Sequence, residues 1–313
     1  AHAPRPENTE LSLLLFQSEH AKRSIKNRVG KKPTSGCATI VFIGKTARLS
    51  LQNPFLPRGL IIDIVIQPDR PRMGAYSAKL AAMILRSAIA ERGQARIIVA
   101  TGSSQFEVLD ALTSEPRIDW SCVEGFHLDE YVGIAPDHRA SFCGYLKSRF
   151  VEKIPLKSFH FLDGTGNPET VCQQAARSLL ESPVDVALIG IGENAHLAFN
   201  DPPADFETTE AYHVVLLDQA CRKQQVGEGW FASIEDVPTH AISMTIHQIL
   251  QSRKIICSVP DERKAPAVRD SVEGPVSNLV PGSILKRHPN TTLVLDRAAA
   301  SLLKPLGADP IGS

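Results

Sequence analysis

From Leu60 to Leu303, short apolar runs alternate with helical patterns, and this alternation restricts the fold more than any other feature of the chain. Strand–helix–strand order needs long crossovers. It therefore predicts an α/β fold, a mostly parallel sheet with helices on both faces. The segment Leu60–Ile66 reads as a strand broken by Asp63, and Arg96–Ala100 as a buried strand. Between them Met73–Arg92 reads as an amphipathic helix ended by Gly93, with Tyr76, Leu80, Met83, Ile84 and Ile89 on its apolar side. Further strands are expected near Val123–Leu128, Phe159–Leu162, Asp185–Gly190, His213–Leu217, Ala241–Ile246, Lys254–Val259 and Thr291–Leu295, with helices over Pro168–Ser182 and Asp261–Val272. Sheets of this kind place ligands beyond the carboxyl ends of their strands.

The 34 basic and 34 acidic residues cancel, so there is no global electrostatic reason to coat nucleic acid or an anionic membrane. No apolar run approaches the roughly 18 residues that span a bilayer. Leu13–Phe16 is short and lacks a basic leader, which makes a poor signal peptide. The six cysteines lie far apart without metal-ligand or redox spacing, which predicts reduced thiols in a cytoplasmic protein, although their even number leaves disulfides formally open.

Residues 1–58 stand apart. They are rich in Pro, Asn, Lys and Arg, with a basic cluster at Lys22, Arg23, Lys26, Arg28, Lys31 and Lys32. No helix-turn-helix pattern accompanies the charges, so the segment reads as a solvated, poorly ordered extension rather than a nucleic-acid arm. Residues 59–313 read as the folded domain.

Three strand ends are unusually polar. Thr101-Gly102-Ser103-Ser104 follows a buried strand and precedes a helix. Its glycine, hydroxyls and free helix N–H groups suit a phosphate, and the same residue types also serve as ordinary helix caps. In Phe126-His127-Leu128-Asp129-Glu130-Tyr131-Val132-Gly133 two adjacent carboxylates stand before a glycine turn. One could act as a general base between neighbouring carbons; the plain alternative is a helix or turn cap. In Gly190-Ile191-Gly192-Glu193-Asn194-Ala195-His196-Leu197-Ala198-Phe199-Asn200-Asp201-Pro202-Pro203 the glycines let backbone approach a ligand, and His196 suits proton transfer near neutral pH. Asn194 and Asp201 could orient that histidine.

In this order, T-G-S-S, F-H-L-D-E-Y-V-G and G-I-G-E-N-A-H-L-A-F-N-D-P resemble the glucosamine-6-phosphate deaminase family, over Leu60 to Leu303. The resemblance implies a Rossmann-like fold, no metal or organic cofactor in catalysis, and often a homo-oligomer. The implied reaction turns glucosamine 6-phosphate into fructose 6-phosphate and ammonia. It implies further that Asp129 moves the proton between C2 and C1, that His196 opens the pyranose ring supported by Asn194 and Asp201, and that Thr101, Gly102, Ser103 and Lys264 hold the phosphate. Read from sequence alone, Lys264 is equally a solvated neighbour of Arg263.

The chain also departs from the family's pattern. Asp201 stands where many members have Glu, so its shorter carboxylate needs the loop to move in or a water to bridge. Ala195 stands where Gly is usual, which restricts a left-handed conformation. A phosphate-binding arginine of some members has no match: Arg222 is nearby, but Gln224 and Gln225 occupy the neighbourhood. The allosteric residues of some bacterial members do not reappear at Ala204–Glu207. Two rival readings remain, a 6-phosphogluconolactonase-like hydrolase and a non-catalytic sugar-phosphate-binding regulator. Against the first, its loop typically continues Thr-Ala-Ser-Leu-Phe-Pro, whereas this chain has Leu197-Ala198-Phe199-Asn200-Asp201-Pro202.

Overall fold

A computed structural model of the chain describes residues 62–304, together with the backbone of two earlier strands, β1 (Thr39–Ile43) and β2 (Thr46–Ser50). Most of the N-terminal extension, including its basic cluster, lies outside the described residues. The two strands form an antiparallel hairpin, and β2 pairs antiparallel with β3 (Asp63–Gln67). The sheet therefore starts before residue 59.

Seven strands follow one another in parallel across the sheet, in the order β3, β12 (Thr291–Asp296), β11 (Ile255–Val259), β8 (Val186–Ile189), β4 (Ala95–Val99), β5 (Val123–His127) and β7 (Ser158–His160). Strands β4, β8, β11 and β12 are buried at every residue. Helices cover both of their faces, so they read as continuous apolar runs rather than alternating ones. Ile97 and Val99 face α1 (Arg70–Arg92), α2 (Phe106–Thr113) and α3 (Phe142–Arg149). Ile98 faces the layer that holds α4 (Pro168–Leu180) and α7 (Ala265–Glu273).

Helix α1 begins and ends as its sequence suggests. Asp69 caps it by accepting the Arg72 N–H at 2.9 Å, and Gly93 closes it in the left-handed conformation. Its buried face is a correction. Met73, Gly74, Ser77, Ala78, Ala81, Ala82, Leu85 and Ala88 face the core, while Met83 is 55% exposed and Tyr76, Leu80, Ile84 and Ile89 are only partly buried. The helix lies across β3, β4, β8, β11 and β12, where small side chains let two backbones approach closely; the larger ones sit at its flanks.

Uniform alternation also hides a second sheet. Strands β6 (Asp129–Tyr131), β10 (His240–Met244) and β9 (Tyr212–Leu216) form an antiparallel layer beyond the carboxyl ends of the main strands. Between β9 and β10 lies α5 (Gln219–Gly227), and α6 (Ile246–Leu250) follows β10. Tyr131, Phe142, Phe199 and Phe231 knit this layer together through ring contacts 4.9–5.6 Å apart. Among the described residues no helix is long and apolar enough to cross a membrane.

Candidate active site

Strands β4 and β8 are hydrogen-bonded neighbours, yet the chain leaves them in opposite directions. From β4 it passes on to β5 and β7, and from β8 it turns back to β11 and β12. The loops at their carboxyl ends diverge and open a crevice, the position where α/β sheets bind ligands. A cleft with about 570 Å³ of open space lies there. Thr101, Gly102, Ser103, Asp129, His196 and Lys264 all line it, so side chains from four strand ends meet at one place.

The loop after β4 depends on its glycine. Gly102 has φ 85° and ψ 175°, a conformation essentially closed to residues with a Cβ. From there the chain makes one tight turn, Ser103–Gln105, into α2, so residues lining the cleft stand at the positive end of that helix. Arg70 clamps the loop from behind, donating to the Ser103 carbonyl at 2.7 Å and pairing with Glu107 at 3.1 Å. Nothing in the local sequence marks Arg70 for that task.

His196 sits on the loop after β8, held through its Nδ1 and its backbone N–H. Its Nδ1 lies 2.9 Å from Asp201 Oδ1, and its backbone N–H donates to Asn194 Oδ1 at 3.2 Å. The Asn194 amide donates in turn to Asp201 Oδ1 at 2.9 Å and to Asp218 Oδ2 at 3.2 Å. Asp201 therefore reaches the imidazole directly, with no bridging water needed for its shorter side chain. Burial works to raise the Asp201 carboxyl, but hydrogen bonds from His196 and Asn194 and the charge of His196 outweigh it and hold the group below its ordinary value. An ionised Asp201 keeps the proton of neutral His196 on Nδ1 and leaves Nε2 as the acceptor. Ala195 has φ 67° and Ala198 φ 53°, so this loop carries two left-handed alanines. Asn200 pins it to β10, donating to the Leu197 carbonyl at 2.8 Å and the Met244 carbonyl at 2.9 Å.

The two adjacent carboxylates have different fates. Glu130 accepts the N–H groups of Tyr131, Phe142 and Cys143 at 2.9, 3.2 and 2.7 Å and the Ser141 hydroxyl at 2.9 Å, so it serves as an anchor for the start of α3. Asp129 is also buried, yet its Oδ1 has no hydrogen-bond partner, and the residue lines the cleft. Burial, with a smaller contribution from the charge of Glu130, pushes the Asp129 carboxyl up to about 8. Such a group is poised to exchange a proton near neutrality.

Lys264 ends the short turn Glu262–Lys264 after β11 and is only 5% exposed, not a solvated neighbour of Arg263. Burial lowers its affinity for a proton, against the pull of Glu228 and Glu193. Arg222 points elsewhere: its guanidinium donates to the carbonyls of Ile234 at 2.5 Å and Val237 at 3.0 Å. Gln224, Gln225 and Glu228 from α5 and its end line the cleft instead, with Phe142 and Phe199. The spacing of Gln224 and Glu228 puts them on one helical face, a signal too common to single them out. His196, Asp201 and Cys221 each bring one ligand atom within 4.8 Å of the others. Asp201 is already occupied by three N–H donors, and burial raises the Cys221 thiol well above its ordinary value, so the trio is a hydrogen-bonded network rather than an ion cage.

Residues 68–294 match the family described as Glucosamine-6-phosphate isomerases/6-phosphogluconolactonase. The chain is 37% identical over 215 residues to a glucosamine-6-phosphate deaminase of Lactobacillus delbrueckii subsp. bulgaricus, covering 68% of this chain and 90% of that protein. It is 36% identical over 233 residues to a glucosamine-6-phosphate deaminase of Clostridium acetobutylicum, covering 72% and 95%. Among solved structures it is similar to a monomeric glucosamine-6-phosphate deaminase, with a TM-score of 0.70 and 28% identity over 76% of this chain and 99% of that one. It shares its fold with a 6-phosphogluconolactonase from Trypanosoma brucei, at a TM-score of 0.64 and 15% identity over 77% and 98%.

Proposed function

This chain belongs to the glucosamine-6-phosphate isomerase and 6-phosphogluconolactonase family, and from that premise we propose that it is a cytoplasmic glucosamine-6-phosphate deaminase. The observation that carries the reading is Asp129: a buried carboxylate with an unpartnered oxygen, lining the same cleft as the His196–Asp201 pair. Opening a lactone calls for one base. Moving a proton between two carbons of a sugar that must first be opened calls for two proton carriers.

In this scheme the phosphate lies on the Thr101–Ser104 loop and Lys264, so its binding energy positions the reacting carbons. His196 accepts the anomeric hydroxyl proton at Nε2 and returns a proton to the ring oxygen, giving the open aldehyde; Asp201 and Asn194 hold the ring in place. Asp129 takes the C2 proton. The carboxyl raised by burial is mostly protonated in the empty site, and the ammonium of the entering substrate favours its ionised form. Reprotonation at C1 gives the 2-imine, and water hydrolyses it to fructose 6-phosphate and ammonia. Every group the scheme uses comes from one chain.

A coupled assay for ammonia, run on glucosamine 6-phosphate and galactosamine 6-phosphate, tests this. Ammonia release from the first is expected. No release from the folded protein, or hydrolysis of 6-phosphogluconolactone in its place, would overturn the reading.

A further inference from the structure

The cleft holds one acidic side chain that the scheme above does not use. Glu228 lines it together with Lys264, and two hydrogen bonds fix its carboxylate: Gln224 Nε2 donates to Oε1 at 2.8 Å and Trp230 Nε1 to Oε2 at 3.3 Å. Both donors are neutral, so they orient the carboxylate without cancelling its charge. The other acid near Lys264, Glu193, is paired with Arg263 at 3.4 Å, and Arg263 is tied to Asp261 at 3.0 Å. The nearest arginine in sequence, Arg222, spends its guanidinium on backbone carbonyls. At this end of the cleft one fixed anion therefore stands against one buried cation. A ligand there meets a cation already faced by an anion, together with a set of N–H and O–H donors on the loop after β4.

We infer that Glu228 sets the charge selectivity of the phosphate end: it offsets Lys264, so the anion is held by the loop's neutral donors, and a phosphate dianion binds less tightly than Lys264 alone would hold it. The inference rests on the reading of this cleft as a sugar-phosphate site. It predicts an unusual direction of effect, since removing a fixed polar contact would strengthen binding. If Glu228 served only to hold Gln224 and Trp230, its replacement would leave anion affinity unchanged or weaker.

Inorganic phosphate and unphosphorylated glucosamine are titrated by calorimetry into the full chain and into Glu228→Gln and Glu228→Ala. Phosphate should bind about tenfold tighter to both variants, because a like charge has been removed from a partly desolvated site. Glucosamine affinity should change less than about threefold, since it lacks the anion. The unaltered chain gives a second readout. Its phosphate affinity should fall less than about threefold between roughly 50 and 500 mM salt, because with Lys264 offset by Glu228 there is little net attraction to screen. Equal or weaker phosphate binding by the folded variants, equal tightening of glucosamine, or a tenfold salt effect on the unaltered chain would overturn the inference. These titrations need no turnover. If ammonia release fails while Glu228→Gln tightens phosphate, the deaminase assignment falls and the role of Glu228 stands.

Discussion

His196 Nδ1 lies 2.9 Å from Asp201 Oδ1, and the second Asp201 oxygen accepts the backbone N–H of Asp218 at 3.1 Å, so the carboxylate that orients the imidazole is itself tied to the start of α5. Replacing Asp201 by Asn keeps the size but removes the charge and turns one of two occupied acceptor oxygens into an NH2 donor, so the tautomer is no longer fixed. Ammonia release should fall about 10²–10³-fold, and His196→Gln should cost about 10²–10⁴-fold. The double variant should be no worse than His196→Gln, because the two residues act as one unit. Steady-state kinetics on the three proteins check this; Asp201→Asn within a few-fold of the parent would remove Asp201 from the role.

Gly192 lies directly beneath the imidazole. A Cβ built there would stand 2.3 Å from His196 Nε2 and 2.4 Å from its Cδ2, far inside van der Waals contact. Gly192→Ala should therefore push the ring out of the cleft. We expect kcat to drop at least about 10²-fold, with a stability loss of about 1–3 kcal/mol from overpacking. Kinetics alongside thermal unfolding separate the two. A fully active alanine variant would mean that the ring takes another position when substrate is bound.

Asp129→Asn should trade activity for stability. In the folded chain burial raises this carboxyl from 3.8 to about 8, so between those pH values folding takes up a proton. Any stability the neutral form confers is fully present below pH 4 and is lost as pH rises through about 8. The variant should match the parent near pH 4 and exceed it by on the order of 5 kcal/mol above pH 8, read from denaturant unfolding across that range. It should release no ammonia. It should also fail to exchange solvent deuterium into C1 of fructose 6-phosphate with ammonia present, because one base serves both directions. Wild-type exchange without ammonia release would take the proton-transfer role away from Asp129.

The same raised carboxyl shapes the pH profile. Since kcat/KM reports groups of the free enzyme, its acidic limb should bend near pH 8 rather than near the ordinary aspartate value. A profile flat from pH 5 to 8 would contradict an empty-site carboxyl in this state.

Lys264→Ala should act mainly on binding. A cation beside the phosphate contributes similarly to ground and transition states, so KM should rise about tenfold or more while kcat changes little. An unchanged KM with a collapsed kcat would move Lys264 away from the phosphate.

The strand–helix alternation and the glycine-punctuated motifs are local signals, so the sequence by itself determined the parallel sheet and the residues that meet at its carboxyl edge. Asp129, His196, Thr101, Gly102, Ser103 and Lys264 line one cleft because strand ends on one edge of a parallel sheet come together. What only the tertiary structure decided was the state of each group. Asp129 and Glu130 are equivalent on paper, but the start of α3 takes up one and leaves an oxygen of the other unpartnered. Lys264 and Arg263 are adjacent, but one is buried in the cleft and the other pairs with Glu193 outside it. Arg70 and Glu228 reach the site from distant segments, and α1 buries its small residues rather than its large apolar ones, since small residues gain their meaning from the surface they pack on. Strand periodicity and turn glycines act over a few residues, whereas burial, hydrogen-bond partners and charge balance depend on groups brought together from far apart in the chain.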